Sequence, residues 1–334
     1  MENSIRNFIM SLIFAFVVSG AAYAAAPDKV VIGYQNIPND ETVSIARGWY
    51  EKELGAAVEL KQFDSGRDVN TAFVSGAIDI ALIGTAPVAV GISSGIKYDV
   101  FWIHDVIGSA ESLAVKNSAN IENIAGIVGK KIAVPFASTA HYSLLAAIDQ
   151  AGIDPSKVAI IDLQPQDILA AWKRGDIDGA YVWHPTLAGL LEDGHVITDS
   201  EELAGKGALT ADLGVVRREF ARDYPDIVTA YLKIQRRAIE LYRSKPDEAA
   251  AAIAKQLGIT EKEALEQTRQ LLWLLPSEQT TVDYLGTSDA KGKLADTLKS
   301  TADFLVKQGS IEKAASLDDF KAALNPKFAE EASK

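Results

Sequence analysis

Ser138, Thr139 and Tyr142 stand together in Pro135-Phe136-Ala137-Ser138-Thr139-Ala140-His141-Tyr142-Ser143. The stretch follows the apolar run Lys131-Ile132-Ala133-Val134 and opens a helical pattern through Leu144, Leu145 and Ile148. A strand that runs into a Ser/Thr turn and then a helix presents amides with no intrahelical partner, with the positive end of the helix dipole behind them. Hydroxyls on Ser138, Thr139 and Tyr142 add neutral donors. Such a site suits a small, desolvated anionic group and needs no Lys or Arg. The plainer reading is that Ser138 or Thr139 only caps the helix. A second segment of the same kind argues against it: Asp79-Ile80-Ala81-Leu82-Ile83-Gly84-Thr85-Ala86-Pro87. Pro87 suits the first helical position there, because its missing N–H would have been unpaired anyway. Two such helix starts could face each other across a cleft and hold one anion.

Other chemistry has less support. Ser138 and His141 are close enough on a helix to touch, but no Gly-x-Ser-x-Gly elbow surrounds the serine and nothing activates it. His104, His141, His184 and His195 show no metal-binding spacing, and no Gly-rich phosphate loop is present. The reading is therefore a binding protein rather than an enzyme, with no metal and no cofactor. The formal charge of −12 argues against nucleic acid, which requires a basic patch.

The elements that must position these residues alternate. Spans 30–34, 58–63, 78–83 and 100–103 read as strands, with helical patterns over 42–54, 68–74 and 88–92 between them. A second set has strands over 131–134, 158–163, 179–183 and 195–198, and helices over 142–150, 167–174 and 185–191. Such alternation predicts two α/β units with helices on both faces of each sheet. Beyond Arg218 the chain reads as nearly all helix, punctuated by Pro225, Pro246, Pro276 and Pro326. Extended segments 112–116 and 213–217 bracket the second set and read as a pair of crossover strands. The expected division is lobe 1 over 25–116 plus 215–334 and lobe 2 over 117–214. Ligands of open α/β sheets bind beyond the carboxyl ends of the strands, where both Ser/Thr turns fall.

At the amino end, Arg6 precedes an apolar run from Phe8 to Val18, and Ala22-Tyr23-Ala24 is a small-x-small cleavage pattern. This reads as a secretory signal over 1–24, because the run is too short to span a bilayer. With no cysteine in the chain there is neither a disulfide nor a lipidation site, which predicts a freely diffusing periplasmic protein.

Several segments resemble one family: Tyr34-Gln35, Phe63-Asp64-Ser65-Gly66, Ser109-Ala110-Glu111-Ser112-Leu113, the stretch 135–147, Leu163-Gln164-Pro165, Ala170-Ala171-Trp172-Lys173-Arg174-Gly175-Asp176-Ile177-Asp178-Gly179-Ala180-Tyr181-Val182-Trp183 and Thr198-Asp199-Ser200-Glu201. They are similar to the periplasmic binding proteins of ABC importers for taurine, aliphatic sulfonates, nitrate and thiamine precursors. The Trp-Lys-Arg-Gly-Asp segment is shared widely in that group, and Ser-Thr-Ala-His-Tyr-Ser is more specific to its taurine branch. The resemblance implies a type II periplasmic-binding fold, two lobes joined by a two-strand hinge with the ligand between them. It also implies a monomer that delivers its ligand to a permease and ATPase at the inner membrane, with taurine first and another alkylsulfonate or betaine as alternatives.

On that reading a sulfonate meets Thr85, Ala86, Ser138 and Thr139, with Tyr142 close by. The ammonium falls to Asp212, just before the return strand, or to Glu111. Trp183 could lie over the ammonium, worth on the order of 0.5–2 kcal/mol, or could pack as a core residue. Tyr34 and Gln35 could hydrogen-bond the ligand or serve the turn. Trp102 and His104 end a strand near the cleft. His104 and His184 depart from the family pattern.

Overall fold

The computed structural model describes residues 26–334, so the expected signal segment lies outside the described residues. Eleven strands form two sheets. In chain order they are β1 (Lys29–Tyr34), β2 (Ala57–Gln62), β3 (Ile80–Gly84), β4 (Tyr98–Ile107), β5 (Glu111–Lys116), β6 (Lys131–Val134), β7 (Ala159–Asp162), β8 (Gly179–Trp183), β9 (Gly194–Asp199), β10 (Ala211–Arg217) and β11 (Leu271–Leu272). The first sheet has the order β11-β4-β10-β3-β1-β2, and the second β7-β6-β8-β5-β9.

In the first sheet β2, β1 and β3 are parallel, while β10 runs antiparallel between β3 and β4. In the second, β7, β6 and β8 are parallel and β5 runs antiparallel to β8 and β9. Strands covered on both faces need continuous apolar runs rather than alternation, and Ile80-Ala81-Leu82-Ile83-Gly84 is buried throughout. Each fully buried aliphatic of this kind contributes about 1.5–3 kcal/mol. The first sheet shares one large apolar core with the helices around it, and the second has a smaller core on each face.

The chain crosses between sheets twice, through 108–110 and 205–210. The crossings meet where the Ile107 amide donates to the Thr210 carbonyl at 3.0 Å. Segments 112–116 and 213–217, expected to pair, lie in different sheets. The first pairs with β8 and β9, the second with β3 and β4. By sheet membership, then, residues 111–116 go with the second lobe and 211–214 with the first, a few residues from the expected boundaries. The return strand is longer than its apolar stretch, because Ala211 and Asp212 complete its ladder to β4.

Three further differences have local causes. The helix expected over 42–54 is two, Asp40–Ala46 and Trp49–Glu53, broken at Gly48 with φ 60°, a conformation glycine adopts at little cost. Strand 100–103 extends to Tyr98–Ile107, because the polar pair His104 and Asp105 finds buried partners instead of ending it. The C-terminal region contributes the short strand β11, paired with the end of β4. Its helix Leu294–Lys307 also reaches the second lobe: Phe304 packs edge-on against Tyr142 at 5.3 Å, and Lys307 Nζ lies 2.8 Å from Asp149 Oδ1.

Candidate functional site

A partly enclosed pocket lies between the sheets at the carboxyl ends of β1, β3, β6 and β8. Both Ser/Thr turns reach it. The helix Thr85–Ser93 starts from Gly84, which offers no capping side chain, and Pro87 sits at its third position rather than its first. Thr85 and Ala86 thus carry the N–H groups of that first turn that have no intrahelical partner. Across the cleft the helix Thr139–Gln150 starts from Ser138. The two starts touch: a Cβ placed on Gly84 would lie 2.5 Å from Thr139 Cγ2. Glycine is required there by the close approach of the lobes.

Ser138 caps its helix. Its Oγ accepts from the His141 amide at 3.1 Å and donates to the Pro135 carbonyl at 2.6 Å. The His141 ring accepts from the Ala137 amide at 3.4 Å. Both groups are thus committed to the turn and do not form a nucleophile–base pair. The cap leaves the Thr139 and Ala140 amides as the open donors on this side. Each helix start therefore has two first-turn amides without an intrahelical partner, neutral donors of the kind that suits an anion with several acceptor oxygens.

The opposite character appears at Asp212. It is 5% exposed, lines the pocket, and its carboxylate makes no hydrogen bond among the described residues. It sits beside the first helix start, where a Cβ added to Gly84 would come within 3.6 Å of Asp212 Oδ1. Burial raises its pKa well above the ordinary carboxylate range, and the charges of Asp105 and Glu111 push the same way. Asp105 faces Asp212 in register across β4 and β10. Asn39 Nδ2 donates to Asp105 Oδ2 at 2.9 Å, but Asp105 Oδ1 is buried without a partner.

More acid lies behind it. His104 Nδ1 sits 2.7 Å from Asp40 Oδ1, Trp102 Nε1 donates to Asp40 Oδ2 at 3.0 Å, and the Tyr231 hydroxyl donates to Glu41 Oε1 at 2.8 Å. Burial opposes protonation of His104, but Asp40, Glu41 and Asp105 outweigh it and raise the imidazole pKa. Burial pushes Glu41 up to about 7. This end of the pocket is therefore backed by acidic groups and favours a cation. No group of three or more His, Asp or Glu among the described residues is arranged to hold a metal ion.

Glu111 also lines the pocket, but both its oxygens already accept hydrogen bonds from side chains. Thr139 Oγ1 donates to Oε2 at 2.5 Å and Ser200 Oγ to Oε1 at 2.9 Å. Burial raises it to about 7, opposed by those hydroxyls. Of the two carboxylates the sequence offers for an ammonium, only Asp212 lacks a partner. Thr139 thus holds Glu111 with its hydroxyl, while its first-turn amide has no intrahelical partner.

The remaining expected residues divide by direction. Gln35 lines the pocket, with Nε2 donating to the Leu82 carbonyl at 3.3 Å. Tyr34, one residue earlier on the strand, points away, and its hydroxyl donates to Gln62 Oε1 at 3.4 Å. Trp183 lines the pocket and also packs against the cores of both lobes. Tyr142 does not reach the pocket. It packs on Phe304 and lines a separate groove with Thr301 and Lys293. The side chains of Thr85 and Ala86 are buried away from it; Thr85 Oγ1 accepts from the Ala211 amide at 3.4 Å, so only their backbone can serve a ligand. Trp102 and His104 lie behind the pocket wall, engaged with Asp40.

Sequence reasoning missed the apolar wall of Ile37, Pro38, Ile107 and Leu271, together with His184. Leu271 comes from β11, which no local pattern announces. His184 stood next to Trp183 and was visible only as a departure from the family pattern.

The lobes also meet around the rim. Arg67 Nη1 pairs with Asp162 Oδ2 at 2.7 Å, and Gln164 Nε2 reaches Ser65 Oγ at 3.2 Å and Asp68 Oδ2 at 3.3 Å. These contacts bridge the two lobes.

Comparison with known proteins agrees with this architecture. The profile of the NMT1-like family matches residues 24–258. The taurine-binding periplasmic protein of Escherichia coli (strain K12) is 36% identical, over 98% of this chain and 99% of that one. A putative aliphatic sulfonates-binding protein of Bacillus subtilis (strain 168) is 26% identical, over 72% of this chain and 75% of its own length. Among solved structures, the alkanesulfonate-binding protein SsuA from Xanthomonas axonopodis pv. citri, bound to MOPS, superposes with a TM-score of 0.75 at 18% identity, covering 90% of this chain and 99% of that one. The two-lobed architecture is that of the periplasmic binding proteins.

Proposed function

The chain belongs to the NMT1-like family, and from that premise we propose that it is an extracytoplasmic solute-binding protein of an ABC importer whose ligand is a small amino-sulfonate, taurine first. Lobe closure is the working step. The ligand docks on one lobe, the other lobe completes the site, and the closed form delivers it to a permease and ATPase at the inner membrane. Relatives that carry the word periplasmic in their names support export of this chain, with residues 1–24 as the signal that is removed.

One observation carries the reading: one pocket between the lobes brings two helix starts together with Asp212, a carboxylate without a hydrogen-bond partner among the described residues. A sulfonate is a permanent anion, so neutral amides suffice and no proton need be exchanged at that end. An ammonium at Asp212 would supply the opposite charge that the buried acids lack. A ligand gains closure energy only in proportion to contacts made in the closed form, and a bipolar ligand contacts both lobes at once. Engagement of Ser138 and His141 in the turn supports binding over catalysis.

Calorimetric titration of the exported chain against taurine, ethanesulfonate and ethylamine tests this. Taurine is expected to bind about 10- to 150-fold more tightly than either half-ligand, since each loses one buried charged contact worth about 1.5–3 kcal/mol. Equal affinity for ethanesulfonate, or no binding of any sulfonate, would overturn it.

A further inference from the structure

Asn39 begins the helix Asp40–Ala46, a place where an asparagine side chain ordinarily accepts from an amide of the first turn. Here it makes no such bond. It turns instead to β4, where its Nδ2 donates to Asp105 Oδ2 at 2.9 Å. Both residues are fully buried. Each keeps a second oxygen, Asn39 Oδ1 and Asp105 Oδ1, that is enclosed and has no hydrogen-bond partner. Enclosed acceptors left unpaired are destabilising, and two of them in one bonded pair call for a cause. If Asp105 is ionised, both groups present bare acceptors and only the observed bond can form. If Asp105 is protonated, its O–H can donate to the amide oxygen while the amide N–H donates to the acid. One proton then satisfies both orphaned oxygens.

The surroundings push the same way. Asp105 is in register with Asp212 on β10, and residues directly opposite on antiparallel strands share a face of the sheet, with Cβ atoms about 4.5–5.5 Å apart. Two buried like charges at that spacing disfavour each other's ionisation. Asp40 faces Asp105 from the first helix, with Glu41 next to it, and Glu111 adds its charge from β5. His104 is the neighbouring base, but Asp40 engages it. Burial foremost, then Asp40 and Glu111, raise the Asp105 pKa to about 7 against the Asn39 amide and His104. The paired acids differ in what they meet. Asp105 has an amide oxygen to receive its proton, whereas Asp212 lines the pocket. We infer that Asp105 is a positioning residue that keeps a proton and closes a two-bond acid–amide pair with Asn39, with or without ligand, so that of the two facing acids only Asp212 ionises to meet the ligand's cation.

The ligand's part in this rests on the amino-sulfonate reading; the proton's place does not, and the test separates them. Asp105→Asn copies the protonated acid: its Nδ2 donates where the O–H would, and its oxygen accepts from Asn39. At about pH 6 the variant is expected to bind taurine within about fivefold of the wild type, in contrast to Asp212→Asn. A larger rise in Kd overturns the inference, since it would mean that an ionised Asp105 helps to hold the cation. Carbon NMR of the aspartate carboxyls in the wild-type protein reads the proton directly and does not depend on the variant's affinity. The Asp105 signal is identified by its loss in Asp105→Asn. At about pH 6, where an ordinary aspartate is ionised, it is expected at the position of a protonated acid both before and after taurine is added. A carboxylate signal in either state overturns the inference. Failure of the wild type to bind taurine overturns the amino-sulfonate reading, and the carboxyl signal of the ligand-free protein then still decides whether Asp105 holds its proton.

Discussion

Replacing Asp212 with Asn changes one charge with almost no change of shape, in a position where the charge has no partner in the protein. The consequence for an amino-sulfonate can be worked from the site. Two unit charges about 4 Å apart interact by about 4 kcal/mol at the effective dielectric suited to protein sites. Breaking a buried pair by removing one member typically costs about 3–5 kcal/mol, because the other charge stays desolvated. Part of this is offset in Asp212, whose pKa is raised by burial and by Asp105 and Glu111, so an ammonium must first displace a proton. A net loss of about 2–4 kcal/mol follows, or about 30- to 1,000-fold in Kd for taurine. Ethanesulfonate has no ammonium and approaches the acids only as an anion. Its affinity is expected to stay level or to rise in Asp212→Asn, as a like charge is removed. Isothermal titration of both ligands on both proteins decides the matter. A parallel loss for both would refute the reasoning, since it would mean that Asp212 maintains the fold of the pocket rather than meeting a cation.

Gly84→Ala places a methyl 2.5 Å from Thr139 Cγ2 across the cleft. It should weaken ligand binding by about 1–3 kcal/mol by holding the lobes apart, with affinity recovered by adding Thr139→Ser, which removes the opposing methyl and keeps the hydroxyl on Glu111; titration of the single and double variants checks this. Arg67→Ala removes the rim contact to Asp162, and since both groups are more than a third exposed, the expected loss is at most about 1 kcal/mol, read as no more than about a fivefold rise in Kd. The ligand-free protein should become more stable on acidification from pH 8 to 5. Glu111 is raised from 4.5 to about 7 in the folded chain, above its unfolded value, so its contribution is complete below about 4.5 and is lost as pH rises through about 7. That contribution is about 3 kcal/mol for such a shift, and a thermal midpoint rising as pH falls from 8 to 5 is the readout; Glu111→Gln should reduce the rise without abolishing it, because Glu41 is raised to about 7 as well.

The two helix starts were legible because strand, small polar turn and helix are coded within a dozen residues, and the Gly-Thr and Ser-Thr steps mark the turns. Asp212 stood out from its place just before the expected return strand; the structure puts it inside that strand, in register with Asp105. What escaped depends on direction and on distance along the chain. Tyr34 and Gln35 are adjacent, and the two-residue period of a strand sends one outward and the other into the pocket. Tyr142 faces Phe304, more than 150 positions away, a contact no local pattern encodes. Asp40 and Glu41 look like ordinary first-turn acids that favour a helix N-terminus. Only packing against Trp102, His104 and Tyr231 shows them buried behind the pocket. His104 and Asp105 read as the end of a strand for the same reason: their partners, Asp40 and Asn39, come from a separate element.

A crystal structure of the taurine complex tests the central claim most directly. The account predicts the sulfonate oxygens within hydrogen-bond distance of the amides of Thr85, Ala86, Thr139 and Ala140, with the ammonium against Asp212. A sulfonate bound outside the space between the two helix starts, or a ligand turned so that its sulfonate faces Asp212, would contradict it.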